Sequence, residues 1–359
     1  MRFARPFSSP FALLIFCALA LAGMIGAPSA APFAAHAQGQ VAARDGIAFD
    51  AYLELLKARA RAEGVSEATL NRMTAGLTPN ARVIRLDQGQ PGRPTRRGYP
   101  AMAPYINTHV NPTRISGGRR VFADNSGQLR AVEAEYGVPA QIIVAIFGHE
   151  TAYGQIRGNF DLSRSLATLA WEGRRRDLFA GEWLALMQVA ERGFSRDQLV
   201  GSYAGAFGNP QFLPSVYLRL AVDGDGDGRA NIFSNRADTY ASIANYFRDA
   251  GWRSGQPWGV RASVPRGFDV DAYKTKLVAP VCSRVHERHS QWKTVAQWRA
   301  LGVQPQRPLA DDTLVSLFQP DGPGEPAWLL TGNYRVILEY NCSNYYAMSV
   351  GLLADEIVN

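Results

Sequence analysis

The chain has 359 residues, of which 47% are hydrophobic, 11% aromatic and 19% charged. That balance excludes a disordered chain, and 34 Gly, 21 Pro and 3 Cys exclude collagen-like and disulfide-dense scaffolds. A chain of this length buries a large core, and its net charge of +7 suits an anionic partner such as cell wall or membrane surface.

Residues 1–37 read as an export signal. Arg2 and Arg5 form the positive start, Phe11 to Met24 is uncharged and apolar, and Ala35-His36-Ala37 offers a cleavage site. The apolar run is shorter than the ~20 residues of a typical span. An uncleaved anchor is the other reading. Cys17 follows Leu-Ile-Phe, not the small residues of a lipidation site. Cleavage near Gln38 lowers the charge from +7 to +5 by removing two arginines, and leaves a protein without a stable membrane span.

The segment 46–75 has helical spacing, with Phe49, Leu53, Leu55, Leu56 and Leu70 as apolar marks. Residues 88–104 are rich in Gly, Pro and Arg and read as an irregular connection. A short helix is expected over 126–136, stopped by Gly137, and a second from Pro139 to about Tyr153. Further helical segments fall at 165–169, 182–192 and 238–250. The texture then changes. Residues 259–264, 313–318 and 334–340 are strand-like, with one helix at 289–301 among them, and 344–357 returns to helix. The fold class expected is α+β, mainly α. Its parts are an N-terminal helical region (38–125), a helical core (126–255), a small mixed insertion (256–335) and a final segment rejoining the core (336–359).

Glu150 is the most informative residue. Ile143, Ile146 and Phe147 lie seven, four and three residues before it, on one apolar face. Burial of that face draws Glu150 inward, and burial together with the negative end of the helix dipole favours the protonated carboxyl. A carboxyl kept protonated near neutrality is what a general acid requires. The bland alternative is a Glu turned to solvent or paired with Arg157. The stretch 201–215 (Gly-Ser-Tyr-Ala-Gly-Ala-Phe-Gly-Asn-Pro-Gln-Phe-Leu-Pro-Ser) permits close backbone approach by a ligand. Ser202 and Gln211 supply hydrogen bonds there. An irregular loop packed on a helix is the alternative.

Asp223, Asp225 and Asp227 alternate as in a calcium loop, with Gly228 at the sharp turn and the Arg229 carbonyl at position seven. Ser234 stands where a closing glutamate is usual. A solvated Asp-Gly turn is the alternative. Cys282 and Cys342 allow one pairing in an oxidising compartment, against two buried thiols; their separation does not suit zinc. His109, His149, His286 and His289 have no zinc-like spacing. Arg174, Arg175 and Arg176 read as a solvated face, or as contacts for peptide carboxylates.

Five stretches carry a resemblance: 148–154 (Gly-His-Glu-Thr-Ala-Tyr-Gly), 165–169 (Ser-Leu-Ala-Thr-Leu), 201–215, 244–247 (Ala-Asn-Tyr-Phe) and 340–350 (Tyr-Asn-Cys-Ser-Asn-Tyr-Tyr-Ala-Met-Ser-Val). In this order they resemble the lytic murein transglycosylase B family, glycoside hydrolase family 103. The resemblance runs from about residue 46 to 355. It implies a lysozyme-like core that cleaves between N-acetylmuramic acid and N-acetylglucosamine in peptidoglycan. The catalytic acid of the family falls on Glu150. It protonates the glycosidic oxygen, then takes the proton of the muramic C6 hydroxyl as that oxygen attacks C1 and leaves a 1,6-anhydro end. No second acid stands out, as that scheme allows and paired-carboxylate glycosidases do not. The resemblance also implies that Ser202 hydrogen-bonds near Glu150, that Gln211 binds sugar, and that Tyr246 sits near the carboxyl. Tyr340, Asn341 and Tyr346 then line the cleft. The family's calcium loop is closed by a later acid, here Asp238. The expected protein is a periplasmic monomer acting on glycan strands, not nucleic acid, with no catalytic cofactor and a structural Ca2+. A hydrolytic muramidase and a non-catalytic peptidoglycan-binding protein are the other readings.

Overall fold

The structure, a computed structural model, describes residues 46–90, 99–276 and 285–359. The expected signal segment and Cys282 lie outside the described residues. The segment 46–75 holds two helices, not one: α1 (Phe49–Ala62) and α2 (Glu67–Thr74). Gly64 takes φ 87° between them, and the Ser66 hydroxyl caps α2 by accepting Thr69 N–H at 3.2 Å. α3 (Ala81–Gln88) follows, capped by Asn80. Then come α4 (Ala103–His109), α5 (Pro112–Asp124), α6 (Ser126–Tyr136) and α7 (Ala140–Thr151). Gly137 ends α6 at φ 71°, as its position predicts. The next helices are α8 (Leu162–Glu172), α9 (Arg176–Glu191), α10 (Pro214–Leu220) and α11 (Arg236–Asp249). A two-stranded antiparallel ribbon pairs β1 (Phe160–Asp161) with β2 (Val200–Gly201).

The chain then builds an antiparallel sheet from β3 (Gly259–Ser263), β4 (Trp292–Thr294), β5 (Gln304–Pro305), β6 (Leu314–Phe318) and β7 (Ala327–Leu330), in the order β4-β6-β7-β3-β5. Residues 289–301 give β4 and a short α12 (Val295–Ala300) rather than one helix. Residues 334–340, expected as strand, fall within α13 (Gly332–Tyr340), and α14 (Asn344–Val358) completes the body. Local β preference over Tyr334 to Tyr340 loses to burial and to a cap. Tyr334, Val336, Ile337 and Leu338 are buried, and the Thr331 hydroxyl accepts Asn333 N–H at 3.1 Å.

Two apolar cores make the helical body. One joins α1, α2, α3, α8 and α9 to the 204–220 segment around Trp183 and Phe207. The other joins α6, α7, α11, α13 and α14. Ile143, Ile146 and Phe147 of α7 are fully buried in it, at roughly 1.5–3 kcal/mol each. Tyr246 and Tyr340 pack against both cores, so the seam between them is the place where polar groups collect. A third core lies between the sheet and α12, where Trp298 donates its indole N–H to Val315 O at 3.2 Å. Among the described residues no single helix is long and apolar enough to cross a membrane.

Candidate active site

The last turn of α7 delivers Glu150 to this seam. Three consecutive residues then take positive φ: Ala152 at 48°, Tyr153 at 61° and Gly154 at 88°. Such positions in non-glycine residues store about 1–3 kcal/mol each and persist only when surroundings fix them. Here the Tyr153 ring fills a slot between α5 and α7. A Cβ on Gly117 or Gly148 would come within 2.8 or 2.6 Å of that ring, so neither position has room for a side chain. The Tyr153 hydroxyl donates to Arg114 O at 2.7 Å. Thr151 adds the second tie: its hydroxyl is 3.2 Å from Asn209 O and accepts Gly154 N–H at 3.1 Å. The 148–154 stretch is thereby locked to the 201–215 stretch.

Glu150 is partly exposed, and its Oε1 accepts the Tyr346 hydroxyl at 2.5 Å. Burial pushes the Glu150 carboxyl up to about 7, against the opposing pull of the Tyr346 hydrogen bond and the Arg114 charge. Among the described residues no other carboxylate acts on it. The pair with Arg157 is not formed; that guanidinium donates to Phe233 O. Tyr346 is buried in the first turn of α14, and burial followed by the Glu150 charge drives its phenol well above the ordinary value. It therefore stays a donor.

The other predicted residues divide by position. Tyr340 ends α13 and donates to Pro210 O at 2.6 Å; the Glu150 charge contributes to the upward shift of its phenol, after burial. Its ring lies 4.7 Å from that of Tyr246, whose hydroxyl donates to Glu339 O at 2.8 Å. Tyr246 thus reaches the site through Tyr340, while the direct hydrogen bond to Glu150 comes from Tyr346. Asn341 is the extended residue that turns α13 into α14, next to disulfide-bonded Cys342. Ser202 turns its hydroxyl to its own loop, accepting Ala206 N–H at 2.9 Å. Gln211 takes φ 51° and donates to Gly208 O at 2.9 Å and Arg157 O at 3.3 Å.

Sequence reasoning missed a second wall. Tyr105 and His109 of α4 stack at 3.8 Å, His109 stacks on His149 at 5.9 Å, and His149 meets Tyr346 at 5.4 Å. The four-residue spacing of Tyr105 and His109 was the available signal. Arg114 was missed altogether. Arg174 and Arg175 are not a solvated face: both pair with Asp87 of α3, which is 1% exposed.

In the acidic loop, carboxylate oxygens of Asp223, Asp225 and Asp227 lie within 4.8 Å of one another. Three hard oxygen donors at that spacing fit Ca2+. The Arg229 carbonyl accepts Asn231 N–H at 3.1 Å. Asp238 is buried behind the loop, where its carboxylate accepts Gly224 N–H at 2.8 Å and Asn231 N–H at 2.5 Å.

A helical body that carries the buried Glu150 carboxyl, raised towards neutrality, to the seam of its two cores is the arrangement of a lysozyme-like, glycan-cleaving enzyme. The Transglycosylase SLT domain family matches residues 48–355, and the chain belongs to this family of peptidoglycan-cleaving lytic transglycosylases. It is 33% identical over 294 residues to membrane-bound lytic murein transglycosylase B of Escherichia coli (strain K12), covering 77% of this chain and 73% of that protein. The solved SltB3 of Pseudomonas aeruginosa in complex with NAG-anhNAM-pentapeptide is similar at 35% identity and TM-score 0.78, covering 88% of this chain and 80% of that one. Escherichia coli Slt35 in complex with calcium is similar at 27% identity and TM-score 0.70, covering 89% and 96%.

Proposed function

We propose that the enzyme breaks the MurNAc–GlcNAc β-1,4 bond without water, leaving 1,6-anhydro-MurNAc ends. The observation that carries this reading is Glu150: a carboxyl pushed up to about 7 by burial, with no partner carboxylate acting on it among the described residues. It gives its proton to the glycosidic oxygen as the C1–O4 bond breaks, which releases the GlcNAc alcohol. The resulting carboxylate then takes the proton of the C6 hydroxyl as O6 bonds to C1. Proton and electron pairs balance, and Glu150 returns protonated. A hydrolase of the paired type would need a second carboxylate roughly 5–9.5 Å away. The anhydro product named in the SltB3 complex supports the same outcome here.

Tyr346 orients the Glu150 carboxyl and stabilises its charged form between the two proton transfers. Ser202, Gln211, Tyr246, Tyr340 and Asn341 are read as the lining for sugar and acetamido groups. The Asp223, Asp225 and Asp227 cluster, with the Arg229 carbonyl and Asp238 as its closing groups, is read as a structural Ca2+ site; the Slt35 calcium complex supports it. Calcium supplies charge neutralisation and loop order there, and no catalytic step. Cys342 is read as the partner of Cys282, residues 126–255 as the catalytic core, and the enzyme as a periplasmic monomer after loss of residues 1–37.

The test is Glu150→Gln on purified peptidoglycan. Muropeptide release is expected to fall by at least about a thousandfold, while the protein still sediments with the wall. Undiminished release would assign the protein to wall binding or another chemistry.

A further inference from the structure

Arg114 stands in the first turn of α5, where Asn111 Oδ1 accepts its N–H at 2.9 Å. Its own carbonyl is held by the Tyr153 hydroxyl, the residue wedged against the end of the Glu150 helix. Its Nη1 is buried with no hydrogen-bond partner among the described residues. A buried guanidinium nitrogen left unpaired is expensive, and packing alone would favour an apolar side chain in its place. Among the described residues, Tyr105 of α4, Arg114 of α5, Tyr340 of α13 and Tyr346 of α14 feel the Glu150 charge. Behind them His109 of α4 stacks on Tyr105 and on His149, His149 meets Tyr346, and Tyr246 of α11 packs on Tyr340. Tyr153 and Tyr240 pack on Phe147 of α7, and Glu133 of α6 accepts Ala140 N–H at the far end of α7. Burial holds both histidines below the ordinary imidazole value, so near neutrality they are uncharged. Among the described residues Arg114 is then the fixed positive charge that acts on the reacting carboxyl.

We propose that Arg114 is a positioning residue for this reaction: its buried guanidinium, on a residue whose backbone carbonyl Tyr153 clamps, stabilises the Glu150 carboxylate by its charge from the protonation of the glycosidic oxygen until the C6 hydroxyl proton arrives. This rests on Glu150 acting first as acid and then as base. In the first half Glu150 loses its proton to O4, and the negative charge appears within a largely water-excluded seam. Without a nearby cation that charge is poorly stabilised, so the acid is weaker and the first step slows. Tyr346 supplies one hydrogen bond to the carboxylate; Arg114 supplies the charge. Tyr153 explains why the chain keeps a left-handed tyrosine here: the same side chain fixes the end of α7 and the start of α5 relative to each other.

The experiment compares Arg114→Gln and Arg114→Lys with the parent enzyme, reading initial muropeptide release from purified peptidoglycan between pH 4.5 and 9. The Gln variant is expected to lose at least about tenfold in rate, and its alkaline limb is expected to move up by at least about half a pH unit. The Lys variant, which keeps the charge, is expected to hold the parent's limb and recover most of the rate. If Arg114→Gln leaves the limb where it was, or Arg114→Lys behaves like Arg114→Gln, the inference is overturned, because a packing role moves the rate and not the profile. Should Arg114→Gln fail to fold above neutral pH, the Glu150→Gln, Arg114→Gln double variant is expected to fold, since no carboxylate is then stranded. A double variant that also fails overturns it. An inactive Glu150→Gln with an unmoved Arg114→Gln profile removes Arg114's role alone; an active Glu150→Gln removes the parent reading.

Discussion

Replacing Glu150 with Gln is expected to stabilise the protein at alkaline pH while abolishing its chemistry. The folded carboxyl sits at about 7 against an ordinary value of 4.5 because burial penalises its charged form. The neutral form is therefore favoured by the fold. The associated stability is fully present below about 4.5 and is lost as pH rises through about 7. At about 1.4 kcal/mol per tenfold change in proton affinity, the full loss approaches about 3 kcal/mol. Roughly 0.8 kcal/mol of it has accrued by pH 5 and nearly all by pH 8.5. Gln keeps the shape and cannot ionise. The stability difference between variant and parent should then grow by about 2.5 kcal/mol from pH 5 to pH 8.5, and flatten above that. For about 300 ordered residues this is about 4 °C in melting temperature. Paired thermal or denaturant melts at the two pH values measure it, and any pH-independent offset from altered packing cancels in the comparison. A difference that does not change between pH 5 and 8.5 would refute the burial argument, as would one that shrinks.

Three further outcomes follow from the same geometry. Tyr346→Phe removes the hydroxyl that stabilises the carboxylate, so the alkaline limb of activity should move to higher pH with a rate loss of about tenfold, read from a pH–rate profile. Gly148→Ala forces a methyl against the Tyr153 ring, which should lower stability by about 1–3 kcal/mol in denaturant melts and reduce activity by misplacing Glu150. Chelation with EGTA should lower the melting temperature while leaving the rate of folded enzyme unchanged, and Asp225→Asn with Asp227→Asn should remove the chelator's effect.

Much of the body was legible because local and global preferences agree. The apolar run of α7 is buried almost all round, Gly137 ends α6 where the sequence suggests, and the last helix starts at Asn344 as expected. The carboxyl at its end was legible for the same reason: the face that must be buried carries it inward. Where the signals conflict, sequence reasoning failed. Tyr334, Val336 and Ile337 favour a strand locally, yet tertiary burial and the Thr331 cap make them a helix. A single period across residues 46–75 hid the break at Gly64 and the cap at Ser66. Arg174 and Arg175 look like surface charge until α3 brings Asp87 beneath them. Arg114 and the Tyr105–His109 stack lie on α4 and α5, for which the sequence reading named no separate element within the helical region 38–125. No spacing rule connects them to Glu150, because the approach is made by packing of α4 and α5 on α14 and α7.

The account turns on where the oxygen in the cut end comes from. Peptidoglycan digested in water enriched in oxygen-18, with the released muropeptides weighed by mass spectrometry, answers this directly. Intramolecular attack by O6 predicts 1,6-anhydro ends with the mass of a lost water and no heavy oxygen at C1. Reducing muramic ends carrying one heavy oxygen would contradict it and assign the Glu150 site to hydrolysis.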